Sequence, residues 1–148
     1  MNLLDLHFYF KVTFLFSCLV IILSSCKKEE QRPEIPYVYV NFSIDPNSIE
    51  YSNLSAPGGF EYLTGGYKGI LVYRLSISDF IAYERACPYD PLVQGARIQV
   101  DTSIITCSCP VCDSHFIITD GSPFSGPSPW PLKIYTTHFD GTLLYISN

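Results

Sequence analysis

The sequence predicts an all-β domain, and three observations carry that expectation. Eleven Pro and nine Gly punctuate the 148 residues, eleven Tyr and ten Phe stand against a single Met, and no stretch sustains a 3.6-residue hydrophobic period. Aromatic side chains pack well on pleated surfaces, and Pro and Gly end strands rather than extend helices. A 47% hydrophobic content excludes the disordered class, and the length suits one domain. Nine Lys+Arg against 14 Asp+Glu give a net charge of −5, with only five cations beyond residue 60. That leaves no basic stripe to neutralise phosphates, so nucleic acid is excluded as a partner.

The first segment reads as an address. Val12 to Leu23 is apolar apart from Thr13, Ser17 and Cys18, and Lys11 precedes it. Twelve residues rise about 18 Å as a helix, short of a bilayer core, so the run is a secretory signal rather than a membrane span. Leu23-Ser24-Ser25-Cys26 resembles a bacterial lipobox, which implies cleavage before Cys26 and acylation of that cysteine. The charged run from Lys27 to Arg32 is similar to the export signals of Bacteroidetes surface lipoproteins and equally to a plain solvated linker. The expected organisation is a signal peptide over 1–25, a lipidated cysteine and polar tether over 26–35, and the β domain over 36–148. The expected location is the cell envelope, anchored by lipid to the outer membrane on its periplasmic or surface face.

The strands follow in order. Tyr37 to Phe42 alternates in strand fashion. Gly58-Gly59 and Gly65-Gly66 bracket Phe60 to Leu63, which suggests a hairpin. Gly69 to Leu75 and Phe80 to Arg85 are β-rich runs separated by Ser76 to Asp79. Further strands are predicted over 97–100, 104–107, 115–119, 132–136 and 143–146, with Asp140-Gly141 as a two-residue hairpin turn needing positive φ. Seven to ten short antiparallel strands with long loops make a sandwich or small barrel.

Six cysteines, less Cys18 in the signal and Cys26 under lipid, leave Cys87, Cys107, Cys109 and Cys112. Their crowding makes them one site or one set of staples, and two disulfides are the default in an exported chain. Cys87-Pro88-Tyr89-Asp90-Pro91 and Cys109-Pro110-Val111-Cys112-Asp113-Ser114-His115-Phe116 each follow a predicted strand and open with Cys-Pro. This arrangement resembles a Rieske domain, whose two loops read Cys-x-His and Cys-Pro-x-His-Gly-Ser-x-Phe and hold a 2Fe–2S cluster between two Cys and two His. Asp120 to Pro123 and Gly126 to Leu132 resemble that family's Pro-rich third loop, which covers the cluster. The resemblance runs from Gly69 to Ile146. It implies a Rieske-like fold with two Cys-bearing hairpin loops, an electron-transfer role and a redox protein partner.

The departures are specific. Tyr89 and Cys112 stand where the family places histidine, Asp113 replaces its glycine, and Val111 stands where many members place a disulfide cysteine. An extra thiol, Cys107, lies two residues before Cys109. Three readings follow. Cys87, Cys109 and Cys112, with Cys107 or Tyr89 as fourth ligand, hold a 2Fe–2S cluster with a potential lowered towards about −400 mV. Alternatively the four thiolates hold structural Zn²⁺, for which Cys109-x-x-Cys112 has the right spacing and Cys107-x-Cys109 is tight. In the third reading the cysteines pair as disulfides and no metal is bound, leaving a binding or structural module on the same scaffold. The signal lacks a twin-Arg pair, which suggests export unfolded, and an oxidising compartment favours disulfides.

No Ser/His/Asp arrangement, carboxylate pair or phosphate-cradling glycine loop stands out, so the chain is expected to be no enzyme, at most an electron-transfer partner of an oxidoreductase. His115 and His138 are expected at the surface, Trp130 at one end of the core, and Tyr89 packed in the space a histidine would occupy.

Overall fold

The structure is a computed structural model that describes residues 31–148. The expected signal peptide, the lipobox and Cys26 lie outside the described residues. Among the described residues ten strands form: β1 (Asn41–Ile44), β2 (Phe60–Leu63), β3 (Ile70–Arg74), β4 (Phe80–Glu84), β5 (Gln99–Val100), β6 (Thr106–Ser108), β7 (His115–Ile117), β8 (Pro123–Ser125), β9 (Ile134–Phe139) and β10 (Leu144–Ser147). They build a six-stranded sheet in the order β1-β10-β9-β4-β3-β2 and a four-stranded sheet in the order β5-β6-β7-β8. Every pairing is antiparallel, and the only helical element among the described residues is a short 3₁₀ segment over Ile49–Leu54. None of these is a helix long and apolar enough to cross a membrane.

The all-β expectation is therefore met, with local differences. The first strand was expected over Tyr37 to Phe42 but pairs with β10 only from Asn41. Ahead of it the chain is held by one residue: Asn148 accepts from Val40 N–H through Oδ1, donates from Nδ2 to Val38 O and donates its backbone N–H to Val40 O. The turn after β9 lies one residue later than expected: Phe139 pairs with Leu144 and Asp140 N–H donates to Leu143 O at 3.1 Å, which leaves Gly141, at φ +99°, and Thr142 at its tip. Asp140 Oδ1 caps it by accepting from the N–H groups of Thr142 and Leu143, both at 2.8 Å. At the other end of the domain, Ile35 is buried and Arg32 donates to Pro131 O at 2.8 Å, so packing reaches into the segment expected to be tether.

β3 explains how the two sheets share a core. All five of its residues are buried, so both of its faces are covered. Ile70 and Val72 face one cluster with Leu54, Ala82, Tyr135 and Leu144. Leu71 and Tyr73 face another with Tyr83, Cys107, Phe116 and Ile118, which joins the large sheet to the small one. Strands β5 to β8 all fall in sequence between β4 and β9, yet β4 pairs directly with β9 through Ala82 with Tyr135 and Tyr83 with Ile134. The small sheet is thus an insertion into a sheet complete without it.

Register places the cysteines. Gln99 pairs with Ser108, and Ser108 pairs with His115, which in turn pairs with Ser125. The loop entering β5, the loop joining β6 to β7 and the loop leaving β8 therefore emerge at one end of the small sheet.

Candidate metal centre

Cys87 sits at the neck of the first loop. That neck is tied by Cys87 N–H to Ala96 O at 3.2 Å, Ile98 N–H to Arg85 O at 2.7 Å and a bridge between Ala86 and Arg97. Cys109 opens the second loop, a tight turn in which Cys109 N–H donates to Ser114 O and Asp113 N–H donates to Cys109 O, both at 2.9 Å. In both loops the next residue is proline, which has no N–H and a fixed φ. The two amides after it then curl back to the sulfur: Tyr89 and Asp90 N–H on Cys87, Val111 and Cys112 N–H on Cys109. Hydrogen bonds of this kind favour the thiolate form that metals require.

Asp113 occupies a left-handed conformation with φ +58°. The backbone here thus adopts the geometry for which glycine is the usual residue, and aspartate is among the few others that tolerate it. The Pro-rich segment closes over this turn. Gly126, at φ +89°, lies so close to Asp113 O and the Ser114 backbone that no Cβ fits. Buried Ser114 Oγ accepts from Ser128 N–H at 3.0 Å and from the Cys112 thiol at 3.2 Å, which pins the covering loop beside the site.

Three sulfurs converge. Cys87, Cys109 and Cys112 place their Sγ atoms within 4.8 Å of one another, with Cys87 Sγ 3.5 Å from Cys112 Sγ. Among the described residues this is the one group of three or more His, Cys, Asp or Glu side chains close enough to share an ion. Cys87 and Cys109 are fully buried, while Cys112 is half-buried beside exposed Val111. The expected fourth thiol does not join them: Cys107 belongs to β6, and its Sγ points to Phe116 O at 3.8 Å inside the core. Tyr89 turns its ring towards Trp130, with centroids 6.4 Å apart, as expected of a packing residue. His115 bonds Asp113 Oδ1 at 3.2 Å, and His138 stacks on Tyr145 at 6.1 Å.

No protein-family model matches the chain, and no curated protein matches it. Solved structures do resemble it. The ferredoxin of carbazole 1,9a-dioxygenase from Nocardioides aromaticivorans IC177 aligns at 19% identity and a TM-score of 0.43, over 61% of this chain and 85% of that one. A complex of reduced oxygenase and oxidized ferredoxin in carbazole 1,9a-dioxygenase aligns at 18% identity and a TM-score of 0.46, over 76% of this chain and 94% of that one. The chemistry of the site rests on its own residues.

Those residues do not fit a two-iron cluster. A 2Fe–2S centre of Rieske type needs a ligand pair on each iron, set apart by the width of the inorganic core. Among the described residues only three such side chains converge, and Tyr89 is engaged elsewhere. Metal–sulfur bonds of about 2.3 Å in a tetrahedron put sulfurs about 3.8 Å apart, which is the spacing of ligands on one ion. The 3.5 Å separation of Cys87 and Cys112 and the 4.8 Å limit on the whole triad match that spacing.

The Cys87 and Cys109 thiols are hydrogen-bonded to one another. The Cys87 thiol donates and holds Cys109 below the ordinary thiol range, while the same bond and burial push Cys87 up. Burial, helped by the nearby Asp101 carboxylate, pushes Cys107 up to about 12. Cys109 is accordingly the more readily ionised of the two bonded thiols and the natural first ligand. Its stabilising contribution is present above the ordinary thiol range and is lost as pH falls through the depressed value. In metal-free protein, ultraviolet thiolate absorbance should titrate well below the usual value of about 8.5. Cys109→Ser should remove that early step, and a titration unchanged by the substitution would assign the thiolate elsewhere.

Proposed function

We propose that this domain is a non-catalytic metal-binding module of Rieske-like architecture, holding one thiophilic ion on Cys87, Cys109 and Cys112. The observation that supports it is the convergence of three buried or half-buried sulfurs, two of them fed by paired backbone amides. Soft thiolate ligands select Zn²⁺, Cu⁺ or iron, and three protein ligands leave a fourth coordination position open. Iron bound there would give the electron-transfer role, with a redox protein partner, that the sequence resemblance implies. The proposal extends to location: the lipobox-like Leu23 to Cys26 supports a lipid anchor at Cys26 in the cell envelope.

A second reading has its own support. Cys87 and Cys112 Sγ stand 3.5 Å apart, close enough for a small side-chain movement to join them as a disulfide. One experiment separates these readings: metal, acid-labile sulfide and intact mass of the protein purified from its own membranes. One metal per chain without sulfide, on a chain acylated at Cys26, is the expected result. About two iron and two sulfide per chain would restore the cluster that the resemblance implies. A metal-free protein about 2 Da lighter than its reduced form would establish the disulfide.

A further inference from the structure

The fold treats its two buried arginines differently. Arg74, 5% exposed, uses its whole guanidinium: Nε donates to Ser76 O, Nη1 to Asn47 Oδ1 and Leu54 O, and Nη2 to Ile77 O. Arg85, 9% exposed, donates only from Nε, to Ile98 O at 3.0 Å. Its Nη1 and Nη2 have no hydrogen-bond partner among the described residues. No buried side-chain nitrogen is left unsatisfied there, so both atoms open to solvent. Arg85 lines a cleft of about 370 Å³ between the turn after β2 and the neck of the first cysteine loop.

That cleft is built to hold the guanidinium still. Arg85 Cζ lies 3.6 Å over the Tyr62 ring, and the ring is fixed because Tyr62 OH accepts from Val100 N–H at 2.7 Å. Two more cations line the same cleft. Lys68 is tied to Val93 O and Ala96 O, while exposed Arg97 has neither ion pair nor hydrogen bond from its side chain among the described residues. The nearest carboxylate, Glu84, already accepts from Tyr67 N–H, Lys68 N–H, Ala86 N–H and Tyr135 OH. Three cations against one saturated carboxylate leave a local charge of about +2 in a protein whose net charge is −5. Arg97 repels the Arg85 charge, and neither guanidinium has an ion-pair partner among the described residues, which makes an incomplete electrostatic arrangement.

We propose that this cleft binds the oxyanion group of a small molecule, a phosphate or a carboxylate, between the free edge of Arg85 and the guanidinium of Arg97. A planar fork with two vacant N–H donors suits bidentate pairing with either group. Tyr62 and Tyr67, which also line the cleft, supply flanking apolar surface for the rest of the ligand. The site is separate from the thiol triad and stands whether or not a metal binds there.

The test is calorimetric titration of the full chain in detergent with inorganic phosphate and, separately, with succinate, against sodium chloride at matched ionic strength. Saturable one-to-one binding of at least one of them is expected; phosphate alone identifies a phosphate ligand, and succinate alone a carboxylate. Arg97→Gln should weaken binding at least about tenfold, since it removes a charge-assisted hydrogen bond. Arg85→Lys, which keeps the charge and loses the fork, should weaken it as well. Should that variant fail to fold, exposed Arg97 decides alone. Lys133→Gln, which removes a cation outside the cleft, should leave the affinity unchanged. Absence of binding to both anions, indifference to Arg97→Gln, or an equal loss in Lys133→Gln would overturn the proposal.

Discussion

Replacing Glu84 with alanine is expected to unfold the domain, or to bring it to the edge of unfolding, at room temperature. The carboxylate is fully buried at the end of β4 and accepts four hydrogen bonds: Tyr67 N–H at 2.6 Å, Tyr135 OH at 2.7 Å, and Lys68 and Ala86 N–H at 2.9 Å each. These donors come from the turn after β2, the neck of the first cysteine loop and β9, so one side chain stitches three segments together. Gly66 is part of the same arrangement, with no room for a Cβ against Glu84 Oε2 and the Tyr135 hydroxyl. Alanine would leave three amides and a hydroxyl without an acceptor, each costing about 1–3 kcal/mol. Their sum is comparable with the whole stability of a small domain, about 5–15 kcal/mol. Tyr135→Phe breaks one bond of the four and should cost about 1 kcal/mol. Urea denaturation checks both, and a Glu84→Ala protein within about 1 kcal/mol of the parent would show that the network carries little of the stability.

The second large effect is expected at the cysteines. Cys109→Ser should lower metal affinity by more than about a hundredfold, beyond the loss typical of outer-sphere changes, because it removes the most readily ionised of the three ligands. Cys107→Ala should leave metal content and affinity unchanged, since its sulfur faces Phe116 O and stands outside the triad. It should register instead as a modest loss of stability from the small cavity in the core. Competition with a chelator reads both. Equal losses of affinity in the two variants would place Cys107 among the ligands.

The contrast between those two cysteines shows what the sequence makes legible. Spacing alone puts Cys107 and Cys109 on one face of a strand. That holds only while the strand continues, and β6 ends at Ser108, so the second sulfur follows the turn while the first stays in the core. The Cys-Pro turns themselves were readable because proline leaves few backbone options, and the β2–β3–β4 meander was readable because Gly pairs and aromatic runs mark its limits. Asp113 looked like a departure from a glycine position, yet its backbone takes the conformation glycine would supply. Other features left no local signal. The first strand starts late because Asn148, over a hundred residues away, occupies the preceding hydrogen-bond positions. Glu84 and Arg85 lie in an ordinary-looking strand, and only tertiary contacts give one four donors and leave the other with two free nitrogens.

Because β4 and β9 pair with each other across the point where the small sheet is inserted, the domain has a ready boundary for partial opening. Strands β5 to β8 are two or three residues long, whereas β3, β4 and β9 have five or six. Short ladders exchange their amides through low-energy fluctuations, and longer central ones exchange only on global unfolding. The cysteine loops therefore sit on the part of the domain with the shortest ladders, which is expected to open first in amide exchange. An ion held there as proposed would enter or leave while the longer ladders stay protected from solvent, and its occupancy would be coupled to a local equilibrium rather than to the survival of the whole fold.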